Sequence, residues 1–239
     1  MKILDLEIDN LSQKEILDKI NVLLSESGFH QIATINPEFV LEAQNNLNFQ
    51  KIVNACDLKI ADGIGILLGV FLQGKLLKHR FAGADLIFKI LEKSQEKKLD
   101  VFLVCRKDGL SLWKETRDAI LKIYPSLNIL GDDIEAGNNK YKIGIKNEVV
   151  LFCNFGTPEQ EIFINSQKCA TIRLAMGVGG SFDFITGKIT RAPYFLRFLG
   201  LEWFWRLIQP QEWKFKKQRI KRICKSLIIF PIKIILDKL

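Results

Sequence analysis

Glu148-Val-Val-Leu-Phe152, running on through Cys-Asn-Phe-Gly156-Thr-Pro158 to Glu-Gln-Glu161, sets the pattern for the whole chain. An unbroken run of β-branched and aromatic residues reads as a strand covered on both faces, since a half-exposed strand would alternate polar and apolar. Glycine and proline end it, and acids suit the first turn of the helix that follows. The same unit recurs along the chain. Gln31–Ile35, Leu58–Ala61, Val101–Cys105, Leu127–Leu130 and Thr171–Met176 read as further strands. Between them lie helices. The first, over 12–27, opens with the capping box Ser12-Gln-Lys-Glu15 and continues with Ile16, Leu17, Ile20, Leu23 and Leu24 at helical spacing. Gly83–Lys98 and Leu110–Tyr124 are two more. Strands alternating with helices to about residue 180 predict an α/β fold, a Rossmann-like and mostly parallel sheet covered by helices.

Ligands of such sheets bind beyond the carboxyl ends of the strands. Those ends are Thr34–Asn36, Asp62-Gly63, Cys105–Gly109, Asn154–Gly156 and Gly177–Gly180, where polar residues and glycines collect. Asp62, in Ala61-Asp-Gly-Ile-Gly65, has two readings. It could take a proton from an attacking hydroxyl, or it could cap the next helix. Thr34 and Asn36 offer a hydroxyl and an amide for sugar hydroxyls, although Asn36-Pro37 is also a good helix start. Glu159 and Glu161 suit a helix N-terminus, whereas Gln160 has no such structural reason to be there. Gly177-Val-Gly-Gly180-Ser-Phe-Asp183 could cradle a diphosphate, with Asp183 accepting from a ribose or base; it is neither G-x-G-x-x-G nor a P-loop.

Other chemistries find no support. His30 and His79 each lack a metal-spaced partner, and there is no G-x-S-x-G elbow. The pair Asp132-Asp133 reads as a solvated turn rather than as a metal-diphosphate site. The five cysteines (Cys56, Cys105, Cys153, Cys169 and Cys224) are scattered and read as reduced core residues. With acids inside its first apolar stretch, the start does not look like a secretory signal, so a cytoplasmic location is expected.

Charge divides the chain. From Lys188 onward there are 13 Lys and Arg against 3 acids, +10, while the first 187 residues carry 22 bases and 24 acids, −2. The texture also changes, which predicts a catalytic domain over 1–191 and an appendage over 192–239. Tyr194, Phe195, Phe198, Trp203, Phe204 and Trp205 crowd the start of the appendage, a basic run from Lys214 to Lys225 follows, and Ser226–Leu236 is an eleven-residue apolar run holding Pro231 and Lys233. That run is too short to cross a bilayer, which takes ~20 residues. A basic, aromatic, amphipathic segment suits an anionic membrane surface. Nucleic acid is the weaker partner, because apolar residues beyond the basic run gain nothing from it. The apolar tail could also pack in a dimer or trimer.

Taken in order, several segments resemble the WecG/TagA/CpsF glycosyltransferase family over most of the chain. They are Thr34-Ile-Asn-Pro-Glu-Phe-Val40, Ala61-Asp-Gly-Ile-Gly65, Arg80-Phe-Ala-Gly-Ala-Asp-Leu86, Tyr124-Pro-Ser-Leu-Asn-Ile-Leu-Gly131, Phe155-Gly-Thr-Pro-Glu-Gln-Glu161, Gly177-Val-Gly-Gly-Ser-Phe-Asp183, Gly187, Arg191-Ala-Pro193 and Leu201-Glu-Trp-Phe-Trp-Arg206. The resemblance implies inverting transfer of a sugar, N-acetylmannosamine or another hexose, from a UDP-sugar to an undecaprenyl-diphosphate-linked sugar, with no metal or other cofactor. It implies peripheral placement on the inner face of a bacterial plasma membrane, in polysaccharide or teichoic acid synthesis. By the same likeness Asp62 is the base, and Thr34, Asn36, Arg80 and Gln160 contact substrate. Gly177, Gly179, Gly180, Asp183 and Arg191 hold the UDP diphosphate, and the tail cations Arg206, Lys214 and Lys217 close the site. The chain departs from the family at Cys105-Arg-Lys-Asp-Gly-Leu110, at Glu159 where lysine is usual, at Gln209-Pro-Gln-Glu212, and at Lys216-Lys217 where arginines are common. The competing readings are a nucleotide-sugar epimerase or dehydrogenase, which lacks its fingerprint here, and a non-catalytic membrane or nucleic-acid binding module.

Overall fold

The computed structural model describes residues 1–198, 200–209, 217, 220 and 223–237. A two-stranded antiparallel hairpin, β1 (Lys2–Ile3) and β2 (Leu6–Glu7), leads into α1 (Gln13–Ser25). The capping box read from the sequence is present: Glu15 N donates to Ser12 Oγ at 3.3 Å, and Ser12 N donates to Glu15 Oε2 at 2.7 Å. Then come β3 (His30–Ile35), α2 (Pro37–Ala43), α3 (Leu47–Asn54), β4 (Leu58–Ala61), α4 (Ile64–Leu72), α5 (Gly83–Lys97) and β5 (Asp100–Arg106). They are followed by α6 (Trp113–Leu121), β6 (Ile129–Ile134), β7 (Val149–Cys153), α7 (Glu159–Ser166), β8 (Ile172–Gly177) and α8 (Ser181–Ile185). The tail holds α9 (Tyr194–Phe198), α10 (Glu202–Ile208), a π-helical turn at Lys225–Ile229 and α11 (Phe230–Asp237).

Strands β3 to β8 form one parallel sheet in the order β4-β3-β8-β7-β5-β6. Strand alternation sends Ile32, Val101, Leu103, Val150 and Leu174 to one face, against α1, α5 and α6. The other face carries Ala33 and Ile35 against α2, α3 and α4, and Leu151 and Cys153 against α7. Both faces are covered, as parallel sheets require, and the fold expected from the strand–helix alternation is the one observed.

Two readings of the sequence need correction. Asp132 and Asp133 do not lie in a turn: β6 runs through them to Ile134, pairing Val104 with Asp132 and Cys105 with Asp133. As an edge strand, β6 can carry acids that a central strand could not. Asp133 Oδ1 accepts from the Trp113 amide at 2.8 Å, and Asp132 accepts from the Tyr141 hydroxyl. Of the five cysteines only Cys56, Cys105 and Cys153 are in the core; Cys169 and Cys224 are exposed. Burial pushes the three core thiols up, which leaves them protonated and inert.

Candidate active site

The carboxyl ends of four adjacent strands, β4, β3, β8 and β7, surround a cleft of about 290 Å³. Of the five strand ends picked out in the sequence, the one that stays away is Cys105–Gly109 after β5, because β5 lies beyond β7 in the sheet order.

Asp62 follows the register pair Ile35↔Ala61, and its amide donates to the Ile35 carbonyl at 2.7 Å. This sets Asp62 beside Asn36 at neighbouring strand ends, both lining the cleft. The helix after Asp62 takes Gly63 as its cap residue, and that cap makes no side-chain hydrogen bond. Gly63 has φ +81° and ψ 156°, a conformation that essentially only glycine tolerates. It turns the chain sharply from β4 into α4 and leaves the carboxylate at the cleft edge. Thr34 is 7% exposed and also faces the cleft. A Cβ placed on Gly83, the first residue of α5, would lie 3.4 Å from Thr34 Oγ1 and 3.6 Å from Asp62 Oδ2. Both side chains therefore converge on the start of that helix. Asn36 does cap its helix, its Oδ1 accepting from Glu38 N at 2.9 Å and Phe39 N at 3.3 Å.

Gln160 turns out to have the structural reason that its sequence context hides. It is buried, and its Oε1 accepts from Gly156 N at 3.0 Å and Gly179 N at 3.1 Å. Its Nε2 donates to Glu161 Oε1 at 2.7 Å. One side chain thus ties the turn after β7 to the turn after β8. Glu161 sits fully buried beneath it, with Oε2 unpartnered among the described residues. Burial pushes this carboxyl up to about 8, a shift that the hydrogen bond from Gln160 offsets only in part. Gly177 is glycine for space: a Cβ there would come within 2.3 Å of Gln160 Nε2.

The glycine turn, Gly177, Gly179 and Gly180 included, lines the cleft, with three amides of the segment already engaged. Val178 N donates to the Cys153 carbonyl at 2.8 Å, Gly179 N to Gln160, and Ser181 N to the Val178 carbonyl at 3.0 Å. Asp183 accepts from Ser111 Oγ at 2.8 Å and is not among the described residues lining the cleft. Arg191 lies off the cleft too, paired with Asp85 at 2.7 Å and with Glu202 at 3.7 Å. Arg80 does line it, and its Nη2 donates to the Arg197 carbonyl at 3.1 Å, which fastens the tail to the cleft rim. The starts of α4 and α5, neither with a side-chain cap hydrogen bond, also open here. Their backbone N–H groups and helix dipoles favour an anion.

Three features escaped the sequence: the start of α5, the buried Glu161, and the tail residues Glu202, Ser226 and Leu227 that close one side of the cleft. The Gly83 within Arg80–Leu86 was the one signal for the first. No local pattern announces the third, since the contact spans the length of the chain. Of the tail cations proposed to close the site, Lys217 is exposed and not among the described lining residues. Lys214 and the side chain of Arg206 lie outside the described residues. Among the described residues no group of three or more His, Cys, Asp or Glu is placed to hold a metal ion.

A parallel Rossmann-like sheet with a carboxylate, an arginine and two helix starts around a cleft at its carboxyl edge is an arrangement that suits a group-transfer enzyme. The chain belongs to the glycosyl transferase WecG/TagA/CpsF family, which it matches over residues 1–239, and it is a glycosyltransferase. It is similar to the N-acetylglucosaminyldiphosphoundecaprenol N-acetyl-beta-D-mannosaminyltransferase of Bacillus spizizenii, 34% identical over 193 residues covering 77% of this chain and 73% of that protein. The Bacillus subtilis protein of the same name is 30% identical over 214 residues, covering 87% of this chain and 79% of its own.

Proposed function

We propose that this chain transfers a hexose, N-acetylmannosamine first among the candidates, from a UDP-sugar to undecaprenyl-diphosphate-linked N-acetylglucosamine at the inner face of a bacterial plasma membrane. The carrying observation is that the strand order of the sheet brings Asp62, Thr34, Asn36 and Arg80 into one cleft. The acceptor is taken from the names of the two Bacillus relatives.

The reaction is a single displacement. An acceptor hydroxyl oxygen attacks the anomeric carbon as the bond from that carbon to the β-phosphate oxygen breaks, which inverts the configuration and releases UDP. Asp62 takes the hydroxyl proton. Thr34 holds the sugar, and Asn36, whose Oδ1 caps α2, still has its side-chain amide to offer. The departing diphosphate gains negative charge, which Arg80 and the uncapped starts of α4 and α5 are arranged to stabilise. Gln160 acts through the backbone, fixing the two turns of the cleft wall.

Residues 1–191 form the catalytic part in this reading, and 192–239 bring it to its lipid-bound acceptor through the basic run and the apolar residues after it. Among the described residues no helix is long and apolar enough to cross a membrane. The test is a panel of UDP-sugars against a short prenyl-diphosphate-N-acetylglucosamine, with and without EDTA. Transfer of one sugar, unchanged by the chelator, is expected. Failure with every UDP-sugar would overturn the donor assignment, and loss of transfer with EDTA would overturn charge stabilisation by Arg80 and the helix starts.

A further inference from the structure

The closing helix α11 does not stand away from the catalytic part. Phe230 and Ile234, one helical turn apart, are buried against it. Phe230 lies over α4 so closely that a Cβ on Gly69 would come within 2.7 Å of its ring and 2.8 Å of Ile3 Cδ1. Lys233 Nζ donates to Gln44 Oε1 at 2.6 Å beside this contact. The two helices are therefore neighbours, and each turns a similar face outward. On α4, Leu68, Phe71 and Leu72 are exposed at i, i+3 and i+4; on α11, Ile232, Ile235 and Leu236 are exposed at the same spacing. Phe71 is 66% exposed and Leu236 63%. Each triplet would be an oddity alone; side by side they make an apolar surface of the kind that marks an interaction site.

The charges around the two stretches agree. There is no acid from Gly63 to Ala84, where Lys75, Lys78 and Arg80 lie, and none from Trp213 to Leu236, where eight lysines and arginines lie. Segments 150 residues apart thus share an excess of cations beside exposed apolar side chains, which complements an anionic lipid surface, although Asp62, Asp85 and Asp237 bound the two stretches and Lys78 pairs with Glu15. The cleft is bordered in part by Ile64 and Gly65 from the first turn of α4 and by Ser226 and Leu227 just before α11.

We propose that α4 and α11 together form a single lipid-contact surface, so that the catalytic part itself, and not the appendage alone, sits on an anionic bilayer with its cleft opening at the headgroup layer. This rests on the membrane-surface reading given under the proposed function. It makes α4, which starts two residues after Asp62, part of the membrane anchor.

The experiment uses the full chain, with vesicles of phosphatidylglycerol mixed into phosphatidylcholine and of phosphatidylcholine alone. Leu68→Gln/Phe71→Gln is compared with Ile232→Gln/Ile235→Gln and with the parent by co-sedimentation, with thermal unfolding and light scattering run in parallel. Both double variants are expected to lower partitioning onto the anionic vesicles at least tenfold, with unfolding midpoints unchanged. Parent-like partitioning of the α4 variant, while the parent binds, overturns the proposal and leaves the tail as anchor. Parent protein that ignores both vesicles overturns the membrane reading beneath it. An α4 variant that converts an oligomer to a monomer while partitioning is unchanged assigns the surface to a second copy of the chain and overturns the proposal as well.

Discussion

Asp62-Gly63 and Gly177–Gly180 look alike in the sequence, each a glycine turn between a strand and a helix at the carboxyl edge of one sheet. They differ in how their backbone amides are engaged. At the first, the cap position is a glycine with no side chain, so the helix start opens into the cleft beside a carboxylate. At the second, Val178, Gly179 and Ser181 spend their amides on the Cys153 carbonyl, Gln160 and the Val178 carbonyl. Both turns line the cleft and both lead into a helix capped by a glycine, but the second has three of its amides already tied within the protein. A glycine turn is thus evidence for a sharp bend; whether it can bind depends on which amides the rest of the fold has already taken.

This contrast can be broken by substitution, and the largest effect is expected at the open turn. Asp62→Asn should lower transfer by about 10²–10⁴, the usual contribution of a positioned base, with an unfolding midpoint like that of the parent. Turnover within a few-fold of the parent would remove Asp62 from its role. Arg80→Ala comes next, with roughly 10²-fold lower transfer, since it removes charge stabilisation of the departing diphosphate. Its hydrogen bond to the Arg197 carbonyl is lost as well, so proteolysis within the tail should quicken.

At the closed turn the main effect should be on stability. Gly177→Ala would drive a methyl into Gln160, and urea denaturation should show a loss of about 1–3 kcal/mol, the usual range for overpacking. Transfer should fall only several-fold. A loss of transfer as deep as that of Asp62→Asn, with stability intact, would restore the turn as a binding element.

Glu161→Gln is expected to change transfer least and pH behaviour most. The carboxyl is raised from 4.5 to about 8 in the folded chain. The unfolded chain therefore releases this proton above pH 4.5 while the folded chain keeps it, so the contribution of Glu161 to stability falls as pH rises toward 8 and is level beyond. Glutamine cannot ionise and can still accept from Gln160 Nε2. Relative to the parent, the variant should gain stability between pH 5 and pH 8, by an amount on the order of a few kcal/mol. An unchanged difference across that range would mean that Glu161 titrates normally.

Much of the fold and part of the site were legible in the residues. The apolar run at Val149–Cys153 and the capping box at Ser12 are decided within a few positions, and both formed as read. Asp132-Asp133 was misread because acids beside a glycine look like a turn unless one knows that the strand lies at an edge. Gln160 was singled out as a polar side chain with no structural reason, and it has one that is partly local, through Gly156 and Glu161, and partly distant, through Gly179. Its partners Gly156 and Gly179 come from two different strand ends. Asn36 kept both of its readings, capping α2 while lining the cleft.

By itself the sequence determined the alternation of strands and helices and the division of charge between body and tail. These are set by neighbours three or four positions away and by composition, which are written along the chain. Only the tertiary structure decided that α4 carries no side-chain cap, that the amides at Gly156 and Gly179 belong to Gln160, that Glu161 is buried, and that α11 docks over Gly69. Each of those depends on which groups from distant segments come within hydrogen-bonding or packing distance, and that is fixed by the order of strands in the sheet rather than by any local run of residues.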